Sequence, residues 1–223
     1  MYHEPTDLIE GICPLILDSA STLSGQTKLA ELDIDVSTIH EVLLYGDAER
    51  MTYTALDANG AGEMARWSRH VRRLSELLIP KGWTRVDFWN QPTLVHPSGS
   101  RCLIVTSGDG FTGTDYGVPS TKNPKGRTVR DAVEKNAQFA LMSRDEVDPA
   151  FASFRETWML LTNAHPDGQL YAEVSQPIDM EGDQISKWSY RLLISPIDPS
   201  APPEGQGDDD AGADYDFSVT RKV

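Results

Sequence analysis

One stretch of the chain carries apolar residues at three- and four-residue intervals more clearly than any other. Met64, Trp67, Val71, Leu74 and Leu78 fall on a single stripe, the signature of an amphipathic helix over 62–79. Pro80-Lys81-Gly82 supplies its stop. The period then shortens to two. Residues 83–89 and 92–96 read as strands, and Pro97-Ser98-Gly99-Ser100 as a hairpin turn into Cys102-Leu103-Ile104-Val105-Thr106. The unbroken apolar run in that return strand predicts burial on both faces, hence a central position. Thr128 with Asp131 resembles a capping box opening a helix over 128–142, with Val129, Val133, Asn136 and Ala137 on its inner face.

The flanks are less periodic. In the first sixty residues, Leu15-Ile16-Leu17 is a short apolar run, 42–45 fits helix or strand, and 51–56 has β-rich chemistry ending at Asn59-Gly60. Residues 143–153 are polar and acidic, the best internal boundary. Beyond them strands are predicted at 154–162, 169–174 and 185–194, turning at Asp167-Gly168 and Gly182-Asp183. The alternation of Tyr215, Phe217 and Val219 with polar neighbours predicts a last strand. Together these elements predict an α+β fold, an antiparallel or mixed sheet with the helices at 62–79 and 128–142 packed on one face. A single domain over 1–223 is expected, with 1–144 (α+β) and 145–223 (mostly β) as the alternative division.

Composition narrows the class. With 39% hydrophobic and 24% charged residues, the chain is neither wholly disordered nor a fibrous array. It has no run of 18 apolar residues, so no spanning helix is expected. An acidic start and two cysteines, Cys13 and Cys102, point to a reduced cytoplasmic setting rather than a secreted disulfide framework.

The net charge of −14 is unevenly spread. Residues 1–60 hold eleven acids against two bases, 61–144 seven against thirteen, and 145–223 sixteen against five. Either the acidic flanks neutralise the basic middle internally, or the middle meets an anionic partner. Arg66, Arg69 and Arg73 recur at helical spacing and would project from one face, where guanidinium forks suit phosphate or carboxylate. The connection 107–127 carries five glycines, several hydroxyls and the cations Lys122, Lys125 and Arg127. It runs from a strand into a helix start, a place that favours anions, but it matches neither phosphate-loop spacing. A long glycine-rich segment of this kind is more often a flexible surface loop. Asp208-Asp209-Asp210 sits in an acidic interaction segment that could occupy a partner's phosphate-binding groove.

No catalytic triad, metal-ligand spacing or cofactor fingerprint stands out. Cys102, at the head of an apolar strand, is expected to be a buried inert thiol. The expected function is therefore a non-enzymatic modulator docking on another protein or nucleoprotein, such as an inhibitor or accessory subunit of a nucleic-acid-processing complex. Two alternatives stand beside it: an enzyme acting on a phosphorylated small molecule through the 107–127 loop, and direct nucleic-acid binding through the basic middle. No membrane partner and no cofactor is expected, and oligomeric state is left open.

Overall fold

The structure, a computed structural model, describes residues 15–18, 22–88, 90–141 and 155–201. The predicted C-terminal strand, the acidic triplet Asp208–Asp210, Cys13, Trp89 and the proposed boundary at 143–153 lie outside the described residues.

Seven strands form one mixed sheet. In chain order the elements are β1 (Leu15–Asp18), α1 (Leu23–Ala30), α2 (Val36–Arg50), α3 (Ala61–Leu78), β2 (Thr84–Phe88), β3 (Gln91–Val95), β4 (Arg101–Ser107), α4 (Arg127–Leu141), β5 (Glu156–Ala164), β6 (Leu170–Glu181) and β7 (Gln184–Ile197). The strand order is β1-β7-β6-β5-β4-β3-β2. Neighbours are antiparallel except β1–β7 and β4–β5, which run parallel. Strands from both halves of the chain thus share one sheet. Among the described residues no helix is long and apolar enough to cross a membrane.

The α+β class is as the sequence predicts, but the two main helices do not share a face. Alternation along β4 and β5 decides this, because successive side chains point to opposite sides. Leu103, Val105, Trp158 and Leu160 pack with Leu74 and Leu78 of α3 and with residues of α1 and α2. Ile104, Met159 and Leu161 pack instead with Val129 and Val133 of α4. The sheet is therefore covered on both faces, which is why β4 and β5 are apolar almost throughout.

The remaining expectations divide by local chemistry. Residues 42–45 are helical, part of α2, which Asp35 caps by accepting from Thr38 N–H. The β-rich stretch 51–56 forms turns instead of a strand. Helix α4 begins at Arg127, so Thr128 lies inside it rather than at its cap. Met64, on the predicted apolar stripe, is 64% exposed, whereas His70 on the same helix is buried. α2 and α3 meet closely there, since a Cβ on Gly46 would sit 2.1 Å from His70 Cδ2.

Two polar groups stitch α4 and the long connection to the sheet. Pro177 in β6 has no N–H to donate opposite Thr157. Asn136 of α4 answers by accepting from Thr157 N–H at 3.0 Å and donating to the carbonyls of Thr157 and Pro177, both at 2.9 Å. Nearby, Glu173 and Arg191 form a doubly bonded ion pair, 0% and 1% exposed. Arg191 also donates to the carbonyls of Phe111, Thr114 and Gly117, and Glu173 accepts from Gly113 N–H. The glycine-rich connection is thereby pinned across the sheet. Gly113, at φ 73° and close to the Ala172 backbone, is the residue that permits this approach.

Candidate functional site

A cleft opens where β3 parts from β4. The two strands pair at Leu94–Leu103 and Val95–Cys102, and then diverge. On that side of β4 the returning arm of the long connection takes over, with Gly108 bridging Thr121 and Lys122 N–H donating to the Ser107 carbonyl at 2.9 Å. Between the two arms the Val105 carbonyl has no strand to bond. The Trp67 indole of α3 donates to it at 3.0 Å. This gap is a cleft of about 510 Å³, with Glu63, Trp67, Thr106, Ser107, Lys122 and Lys125 among its walls. Its floor is the C-terminal end of a strand in a parallel pair, where ligands of mixed and parallel sheets commonly sit.

Two lysines and one carboxylate are the charged groups lining this cleft. Glu63 is the one carboxylate among its lining residues, and it is tied to Arg50 and Arg66, each at 3.1 Å. Lys125 is half-buried, and its ammonium group bonds the Thr106 hydroxyl. Burial draws its pKa down from the usual lysine range to about 8. Neither Lys122 nor Lys125 has an ion-pair partner among the described residues, whereas most of the protein's other cations do.

A smaller cavity of about 20 Å³ lies behind the cleft, against Arg66, His70, Ser107 and Thr162. It has room for one water molecule. His70 contacts the Thr162 hydroxyl through Nδ1 at 3.3 Å. Burial, and then the neighbouring Arg66, hold its pKa down to about 4, so the imidazole is neutral at pH 7.

The six cations singled out from sequence do not form one surface. Arg66 is 15% exposed and bonded to Asp47 at 2.7 Å and Glu63 at 3.1 Å. Arg69 is 34% exposed and bonded to Glu49 at 2.9 Å. Arg73 is 30% exposed and held by Glu41 and Glu76. The arginine row of α3 is met by the acids of α2 and by Glu76. At the start of α4, Arg127 projects into solvent with Asp131 4.0 Å away. Lys122 and Lys125 alone of the six line the cleft. Sequence reasoning found both lysines but missed their setting: Glu63, Trp67 and Thr106 come from elements it had no means to bring beside them. Cys102 is buried, touching Thr157 at 3.3 Å, and burial pushes its thiol up from the ordinary cysteine range. No cluster of potential metal ligands occurs among the described residues.

Comparisons with protein-family models, with curated proteins and with solved structures find no match to this chain.

Proposed function

We propose that the protein binds a small anionic ligand, a phosphate ester or a carboxylate, in the cleft at the end of β4. The carrying observation is the pair Lys122 and Lys125, uncompensated by carboxylates and lining a cleft whose one acid is already doubly neutralised. Such a site attracts negative charge, and its partial burial strengthens each contact relative to bulk water. The hydroxyls of Thr106 and Ser107 can donate to ligand oxygens, and the exposed Met64 with the edge of Trp67 offers an apolar wall. The α3 arginines contribute to this reading by default. Their demands are met within the molecule, so they have less to offer a partner than their spacing suggests.

A docking role on a larger partner draws on a separate observation. Phe111, Tyr116 and Val118 are exposed together on the loop beside Gly117, with the two rings edge to face at 6.3 Å. Exposed apolar clusters of this kind often mark contact surfaces.

The test is a titration of inorganic phosphate, a phosphate monoester and a short dicarboxylate, followed by calorimetry. The double variant K122A/K125A should weaken binding at least about tenfold, since each charge-assisted contact is worth ~1.5–3 kcal/mol. The variant R69A/R73A should leave it unchanged. Equal binding by the native protein and K122A/K125A would remove the proposal.

A further inference from the structure

We infer that Lys125 is a carbonyl-capturing amine, forming an imine with a small aldehyde or 2-oxo acid whose anionic group is held at Lys122. This rests on the anion-binding reading of the same cleft and adds a covalent step to it. The placement is unusual for a lysine. Its backbone N–H donates to the Asp183 carbonyl at the β6–β7 turn at 2.6 Å, and its side chain reaches the end of β4. Its ammonium group points at a buried threonine hydroxyl rather than at a carboxylate, and it forms part of the wall of an open cleft. A desolvated lysine without a counter-ion loses its proton more readily than one in water, and the neutral amine is the nucleophile.

The charged groups around it are few. Lys122 stands on the same loop arm, and Glu63 faces the cleft from α3 but is bound to Arg50 and Arg66. At the β6–β7 turn, Asp183 is bound to Arg130 at 2.8 Å. None of them offsets the lost hydration, and burial brings the pKa to about 8.

In the step itself the Nζ lone pair attacks the carbonyl carbon. A C–N bond forms, the C=O π pair moves to oxygen, and a proton passes from nitrogen to that oxygen, giving a carbinolamine. Loss of the hydroxyl with a second proton as water leaves the C=N bond, so one amine and one carbonyl give one imine and one water. No oxidant or reductant is consumed. The Thr106 hydroxyl, able both to accept and to donate, is placed to pass protons at Nζ.

The experiment uses the full chain with glyoxylate as probe and sodium cyanoborohydride as the hydride donor that reduces the imine to a stable secondary amine. Peptide mapping by mass spectrometry then reads each lysine. At pH 7.5, Lys125 should be labelled at least about ten times faster than Lys28, Lys81 or Lys135, because burial favours its neutral amine. Its rate should level off above about pH 8. Lys125→Arg should abolish the fast label. Labelling of Lys125 no faster than the other lysines overturns the inference. If phosphate binding still depends on Lys122 in that event, the anion site stands without the covalent step. If it does not, the site falls as well.

Discussion

At Glu173 and Arg191 a carboxylate and a guanidinium are removed from water together, and every other polar contact there is organised around them. The pair is bidentate, Ser175 donates to Glu173 at 2.7 Å, and three loop carbonyls accept further bonds from the guanidinium, Gly117 from Nη1 and Phe111 and Thr114 from Nη2. Deleting one partner leaves a buried charge unmet, so Glu173→Ala should cost about 3–5 kcal/mol in urea unfolding. His70 makes a complementary prediction. Its folded pKa of about 4 lies below the ordinary 6.5, so between those values the unfolded chain binds more protons. Its contribution is complete above pH 6.5 and is lost as pH falls towards 4, amounting to roughly 3 kcal/mol at the acid end. Stability measured from pH 7 to pH 4 should show this slope, and His70→Gln should flatten it.

The elements differ in how much of themselves the sequence discloses. Helix α3 is written in its own residues: Leu74 and Leu78 are fully buried, as the three-four spacing requires, and Leu74→Ala should cost ~2–5 kcal/mol. The central place of β4 is equally visible in its apolar run. The connection 108–126 is the opposite case. It has no periodicity, and its glycines and hydroxyls resemble a mobile loop, because what orders it is supplied by Glu173, Trp188 and Arg191, more than fifty positions further on. Limited trypsin digestion should therefore spare Lys122 and Lys125 in the native protein. Arg191→Met should expose them to rapid cleavage while the sheet still forms, as loss of the loop's anchors raises local opening. The face assignment of α4 was illegible for a related reason. Its small-residue stripe fits either side of a sheet, and only the register of β4 against β5 decides.

On the scale of the whole molecule, the charge blocks that stand apart in sequence are interleaved in space. The acidic first sixty residues supply Glu41, Asp47 and Glu49 to the arginines of α3, and Asp33 reaches His96 at 2.9 Å. Internal neutralisation is thus a property of the α2–α3 contact, which leaves the loop lysines as the basic groups facing the cleft. Replacing Glu41 and Glu49 with Lys should lower the melting temperature more in 20 mM salt than in 500 mM salt, since these partly exposed pairs are screened. The cleft itself could not be foreseen from spacing. It exists because β3 parts from β4 after two paired rungs and the returning loop arm fills one side of the gap.

The central claim, that anions are received at the β4 cleft and not along the arginine row of α3, is tested most directly by amide chemical-shift mapping. Isotopically labelled protein would be titrated with inorganic phosphate at low ionic strength. The account predicts saturating shifts confined to residues 60–67, 105–107 and 121–126, abolished in K122A/K125A. Shifts centred instead on the α2–α3 face around Glu41, Glu49, Arg69 and Arg73, or shifts that persist unchanged in that double variant, would contradict it.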